Sequence, residues 1–247
     1  IRDREISPYR YVGVNFNSQG NPNLKPSDNY NLDLKWDFNP TPTELISLTA
    51  FYKLIKNPIS RIEVASAGGY LSYENIADKA TVAGVEIEIR KNLFVRPVSN
   101  AAHGMNKLSL GLNGSYIYTN AKMPLATVTT GSQLEGAAPW IVNFDLSHNF
   151  TKGERSFVNT LVLNYVSDKI YTIGTQGYQD MMEQGVLTLD FVSQAKLNKH
   201  LSLNLKARNL LNPSYKLSRK ANENGEKVIL NDYKKGINIS LGVSCTF

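Results

Sequence analysis

The sequence predicts an all-β protein, an antiparallel transmembrane β-barrel, of which this chain is the C-terminal portion with about nine strands. Three observations carry that expectation. The first is the final stretch, where Ile237, Ile239, Leu241, Val243, Cys245 and Phe247 alternate with Asn238, Ser240, Gly242, Ser244 and Thr246. Successive strand side chains point to opposite faces, so one face is wholly apolar and the other wholly small and polar. A barrel strand in a membrane has this form, with the apolar side to lipid and the polar side to the lumen. The second is that no run of about 18 apolar residues exists, which excludes a spanning helix. With 42% hydrophobic and 19% charged residues, the composition suggests neither disorder nor a helical membrane protein. A mean hydropathy of -0.28 is compatible with a barrel, because half of each strand and all loops are polar. The third observation is a regular alternation of short and long connections.

In chain order, residues 1–29 read mostly as loop, with a strand end at Tyr9 to Phe16. Gly20-Asn21-Pro22-Asn23-Leu24-Lys25-Pro26 is turn chemistry, since its prolines have no amide to give a central ladder. Tyr30, Leu32, Leu34, Trp36 and Phe38 then alternate with Asn31, Asp33, Lys35 and Asp37 as a strand. The Asn39-Pro40-Thr41-Pro42-Thr43 turn leads into Ile46, Leu48, Ala50, Tyr52 and Leu54, a strand that Asn57-Pro58 loosens. A long loop around Gly68-Gly69 precedes Ala83, Val85, Ile87 and Ile89, set against Gly84, Glu86, Glu88 and Arg90. After a connection from Leu93 to Asn106, Leu108, Leu110, Leu112, Tyr116 and Tyr118 form the next apolar row. Ala121 to Gly136 is a polar loop. Strands follow at Trp140 to Phe150, Phe157 to Ser167, Leu187 to Phe191 and Leu201 to Ala207, before a charged loop from Asn212 to Asp232 and the final strand.

The links near 40, 152 and 199 are short, whereas those near 68, 128, 176 and 222 are long. Barrels of the outer membrane show this asymmetry, with short periplasmic turns and long outer loops. With the C-terminus periplasmic, parity places all four long links outside; only Leu93 to Asn106 is long on the short side. Single-chain bacterial barrels have even strand numbers. Residues 1–247 are therefore expected to be the C-terminal portion of one larger barrel domain.

Several motifs resemble those of TonB-dependent outer-membrane receptors, in the family's order along almost the whole chain. They are the loop and strand beginning at Gly20-Asn21-Pro22-Asn23-Leu24-Lys25-Pro26, and Ala50-Phe51-Tyr52-Lys53 with Ile55-Lys56-Asn57-Pro58-Ile59. Ala83-Gly84-Val85-Glu86-Ile87-Glu88 follows, and Asn209-Leu210-Leu211-Asn212-Pro213-Ser214-Tyr215 with Phe247 is similar to the closing pair of strands. The resemblance implies a bacterial outer-membrane receptor that imports a scarce nutrient, such as an iron chelate, haem, cobalamin or a glycan. It implies energy from the TonB complex, outer-membrane lipid around the barrel, and a plug domain from the parent chain that is absent here. A passive porin-like barrel and a soluble all-β binding module are the competing readings.

No catalytic, metal or cofactor site is expected. His103, His148 and His200 lie in separate segments, and His148 falls on the apolar row of its strand. Glu86 and Glu88 share a face at a spacing that suits acid/base work, but with Arg90 they read better as a charged lumen row able to pair with a plug. Gly68-Gly69 is a turn rather than a phosphate cradle, and Met181-Met182 reads as local packing. The single cysteine, Cys245, excludes an internal disulfide. The net charge of +6 is scattered and accompanied by no reading helix, so nucleic acid is not an expected partner. Trp36, Trp140, Tyr116 and Tyr118 fit interfacial girdles. Ligand contact is expected from the outer loops, with Tyr70, Tyr73, Tyr171, Tyr178 and Arg219 as candidates; the bland alternative for each is a solvated or locally packed residue.

Overall fold

The structure, a computed structural model, describes residues 9–10, 17–64, 70–98, 104–123, 133–221 and 225–246. Gly68-Gly69, His103, Phe247 and residues 11–16 of the expected first strand lie outside the described residues. In chain order the strands are β1 (Tyr9–Arg10), β2 (Asn17–Ser18), β3 (Asp28–Phe38), β4 (Leu45–Lys56), β5 (Ile59–Val64) and β6 (Tyr70–Asn75). Next come β7 (Lys79–Pro97), β8 (Met105–Ala121), β9 (Trp140–Lys152), β10 (Arg155–Val166), β11 (Lys169–Thr172) and β12 (Met181–Glu183). The last are β13 (Val186–Lys196), β14 (Leu201–Arg208), β15 (Ser214–Lys220), β16 (Lys227–Lys234) and β17 (Asn238–Cys245).

Nine of them form one antiparallel sheet in the order β17-β14-β13-β10-β9-β8-β7-β4-β3, so neighbours in the sheet follow chain order throughout. These are the nine strands expected from alternation. The sheet is open, with β3 and β17 at its edges. Its register keeps apolar residues together across strands. One row runs Leu34, Ala50, Val85, Tyr116, Trp140, and another runs Phe38, Ile46, Ile89, Leu112, Phe144, Leu163, Leu189. Because a one-residue slip would turn every side chain over, this alignment fixes the register.

The apolar face is turned outward. Leu32, Leu34, Ile239 and Leu241 are each about 70% exposed, and Trp36, Tyr116, Tyr118 and Trp140 stand on the same face. An exposed apolar surface spread over nine strands is what a lipid-facing sheet presents, and it far exceeds the patches tolerated on soluble monomers. The other face is polar. Asp37, Ser47, Glu88, Asn113, Asn143, Asn164 and Thr188 form one row across it. Within that row the amide of Asn164 donates to Asn143, which donates to Asn113 at 3.3 Å. Glu88 pairs with Arg90 at 2.6 Å within the charged row Glu86-Glu88-Arg90. On this face a Cβ at Gly84 would strike the Phe51 ring and the Tyr116 carbonyl, so only glycine allows the ring to lie there.

Two expectations are corrected. The link Leu93 to Asn106 is not a long loop on the short side: β7 continues through Pro97 and β8 begins at Met105, with Val98 N–H closing onto Gly104 O at 3.0 Å. The connection therefore joins the short set, and parity loses its exception. The long links are not plain loops either. Three of them extend the sheet as hairpins: β5–β6 above β4 and β7, β11–β12 above β10 and β13, and β15–β16 above β14 and β17. The chain kinks between sheet and hairpin at Asn57, Asn209, Asn212 and Gly236, all with positive φ. Asparagine and glycine tolerate that conformation at little cost.

The hairpins converge into a cap with its own core. Ile62, Ile76, Ala77, Ala80, Ala121, Leu134, Ile170 and Ile173 are buried together there. Glu63 N–H donates to Ile173 O at 3.2 Å and Ile173 N–H to Arg61 O at 3.0 Å, joining two hairpins that arise from separate parts of the sheet. The segment around Asn21 docks alongside, with Asn21 Nδ2 donating to Tyr73 O at 3.1 Å and Lys25 N–H to Asn75 Oδ1 at 2.8 Å.

Candidate ligand site in the cap

The site is organised by alternation in β5. Ile62 enters the apolar core, which leaves Arg61 and Glu63 on the opposite side of the strand. Arg61 pairs with Glu135 at 2.9 Å and donates to the Tyr171 carbonyl from Nε at 3.0 Å and Nη2 at 2.6 Å. Its guanidinium also lies 3.8 Å from the centre of the Tyr171 ring. Glu63 pairs with Arg219 of β15, and its carbonyl accepts the Thr175 hydroxyl. The Arg219 guanidinium in turn lies 5.2 Å from the Tyr178 ring centre. Two charge pairs, with the hydrogen bonds to the Tyr171 carbonyl and from Thr175, thus tie four connections of the chain into one network.

The five candidates from the sequence all fall in this cap. Tyr171, Tyr178 and Arg219 come together around Arg61 and Glu63. Tyr73 stands opposite Arg61 across the hairpin, and Tyr70 opposite Val64 and beside Asn17. Arg61, Glu63 and Glu135 were missed. The available signal was the alternation Ser60-Arg61-Ile62-Glu63-Val64, hidden behind the break at Asn57-Pro58.

Next to the network lies a cavity of about 360 Å³, lined by Asp168, Gln179, Asp180, Met182, Ser218, Arg219, Lys220 and Lys227. That volume is in the range of small-molecule sites, roughly 300–1,000 Å³. Ser218 is fully buried, and neither its Oγ nor Arg219 Nε has a hydrogen-bond partner among the described residues. Buried polar atoms without partners are uncommon and costly. Both atoms are shut off from solvent, so what the cavity presents is charge: Arg219, Lys220 and Lys227 with Asp168 and Asp180. No group of three or more His, Cys, Asp or Glu able to hold a metal occurs among the described residues.

On the polar face near the short turns, a second hollow of about 270 Å³ is lined by Glu88, Arg90, Asn92, Lys107, Asn143 and Asp145, among others. Beside it Glu44 accepts from the Asn92 amide at 3.0 Å and pairs with Lys91 at 3.4 Å. The Asn92 hydrogen bond, with smaller help from Lys91 and Thr41, holds the Glu44 carboxyl below its ordinary pKa.

A family profile described as "TonB dependent receptor-like, beta-barrel" matches residues 4–210. The chain belongs to that family. Its barrels are outer-membrane receptors and transporters in general, which agrees with an outward apolar face, an inward polar face and a polar cap. Neither a curated protein nor a solved structure matches the chain. The terminal pair of strands expected from the Asn209-Leu210-Leu211-Asn212-Pro213 motif is β14, within the matched residues, with β17, beyond them, and Leu205 stands opposite Leu241.

Proposed function

We propose that this chain is the C-terminal portion of the barrel of an outer-membrane receptor that imports a scarce nutrient with energy from the TonB complex. The observation that carries the import reading is the cavity beside Arg219, lined by Lys220, Lys227, Asp168 and Asp180, in a cap above a sheet of the family's barrel. Iron chelates, haem, cobalamin and glycans are the nutrient classes concerned. Tyr70, Tyr73, Tyr171, Tyr178 and Arg219 are proposed as ligand contacts, since they share the cap that borders the cavity. The open sheet supports a larger barrel, because a membrane sheet must leave no unpaired edge. A plug from the parent chain would meet the polar rows at Glu88, Asn113 and Asn143.

The test is uptake of labelled ligands of each class by cells expressing the parent protein, with and without a working TonB complex. Uptake should vanish without it, because a plug must be moved by work. Undiminished uptake would favour a passive barrel.

A further inference from the structure

We propose that the outer face carries, at its short-turn end, a site for the phosphate headgroup of a glycerophospholipid, formed by Arg96 and Asn106 with His148 positioning Asn106. The proposal rests on the reading of this sheet as membrane-spanning with periplasmic short turns. The three residues lie on the adjacent strands β7, β8 and β9. With Asn159 and Ser193 they interrupt the apolar surface in two neighbouring rows: Phe94, Leu108, His148, Asn159, Ser193, Leu205, Leu241, and Arg96, Asn106, Phe150, Phe157, Ala195, Leu203, Val243.

Their depth suits a headgroup. On β9 the outward row runs from Trp140 to Phe150, and His148 comes next to last. The eight residues from Trp140 to His148 span about 27 Å along the strand, or about 20 Å of depth at a tilt of about 40°. That brings His148 to the far margin of an apolar band about 25 Å tall. Beyond it the Phe150 and Phe157 rings pack at 6.4 Å, as a girdle at the interface would.

Their hydrogen-bonding capacity is directed at an acceptor. His148 Nε2 meets Asn106 Oδ1 at 2.8 Å. The amide oxygen is thereby occupied, which leaves the two N–H bonds of Asn106 Nδ2 as donors beside Arg96. Arg96, exposed and opposite Asn106, rests its guanidinium 5.4 Å from the Phe94 ring centre. It forms no hydrogen bond or ion pair with the described residues. Neither row contains a carboxylate. Donors and a fixed cation without a counter-charge call for an oxyanion, which guanidinium binds through parallel N–H groups. In the next row Leu110, Leu146, Leu161 and Phe191 provide the apolar surface along which acyl chains would run, while its β7 member, Lys91, is neutralised by Glu44 at 3.4 Å. Anionic head and apolar chains together specify a glycerophospholipid.

The intact protein in detergent would be titrated with dioleoylphosphatidylglycerol or with dioleoylglycerol, which lacks the phosphate, and bound lipid read by native mass spectrometry. Phosphatidylglycerol should be retained about tenfold more tightly, the effect of a charge-assisted hydrogen-bond set. The double variant Arg96→Gln, Asn106→Leu should abolish the preference while heat-modifiable barrel formation persists. Equal retention of the two lipids by the unaltered protein overturns the site without needing any variant, as does a preference that survives the substitutions. Self-association that the substitutions abolish, with no headgroup preference, assigns the patch to a second copy and overturns it too. A protein that stays in aqueous buffer without detergent rejects the membrane reading along with the site, and is told apart by that behaviour alone.

Discussion

The nine-stranded sheet and the cap are built from neighbouring strands of one chain but sort their side chains in opposite senses. In the sheet, Leu34 and Leu241 stand outward while Asn113 and Asn143 stand inward. In the cap, Leu71, Ile173 and Met181 are fully buried and Tyr178 is exposed. β4 and β14 pass from one regime to the other across kinks at Asn57-Pro58 and at Asn209 to Asn212. The difference teaches that the hydrophobic effect sets no direction by itself; the solvent does. Apolar groups leave water in both regions, entering lipid below the kink and a protein core above it.

The comparison breaks most severely where lipid meets a charge. Leu241→Arg should cost about 2–4 kcal/mol near the bilayer midplane. Asn204→Arg, on the polar face in the neutral row Gln194-Asn204-Gly242, should change stability by no more than about 0.5 kcal/mol. Heat-modifiable barrel formation in both variants checks the contrast, and equal damage would overturn the assignment of faces.

A smaller effect is expected in the cap. Arg61→Ala removes the guanidinium from Glu135, which keeps only the backbone N–H of residue 61 from this position, and removes two bonds to the Tyr171 carbonyl. Breaking a fully buried pair costs about 3–5 kcal/mol; with 13% and 21% of these side chains exposed, about 2–3 kcal/mol is expected. Amide exchange should accelerate at residues 59–64 and 170–173, with the ladders of β8, β9 and β10 unchanged. Loosening of those ladders as well would show that cap and sheet are one cooperative unit.

The smallest effect is a pH dependence at the opposite end. Glu44 titrates below its ordinary value, chiefly because it accepts the Asn92 N–H, so its contribution is complete above the ordinary carboxylate pKa of 4.5. It is lost as the pH falls through the lowered folded value. Exchange of the Asn92 amide should accelerate below about pH 4.5 in the unaltered protein and be fast and pH-independent, after correction for intrinsic exchange, in Glu44→Gln.

The sheet was legible because lipid and lumen impose a period of two on each strand, as in Tyr30 to Phe38. The reading failed where that period is broken without ending the strand. At Asn92/Phe94 a bulge adds one residue, so outward positions switch from Ile87 and Ile89 to Phe94 and Arg96. Alternation then looks like a loop from Leu93 onward. Beyond Asn57-Pro58 the strand resumes as Ser60-Arg61-Ile62-Glu63, a run too short to stand out. The cap candidates Tyr171, Tyr178 and Arg219 were legible as aromatic and basic residues in long connections. Their partners were not, because Arg61 and Glu135 are 74 residues apart and Glu63 and Arg219 are 156 apart. No local period encodes such a pairing; only the convergence of the hairpins creates it.

The drift of the apolar rows across the sheet has a geometric consequence. The row through Leu34, at the middle of the apolar stretch of β3, crosses β8 at Tyr116, whereas the row through Leu241, at the middle of β17, crosses it at Leu108. If both centres lie at one depth in a bilayer, the strands are staggered by eight residues over eight steps between strands, one residue per strand. At about 3.4 Å per residue and about 4.8 Å between strands, that stagger inclines the strands by about 35° to the membrane normal. A closed barrel needs an inclination of about 35–45°. The shear required for closure is thus already written into where each strand changes from apolar to polar, and adding further strands at the same stagger would keep the hydrophobic belt level around the whole circumference.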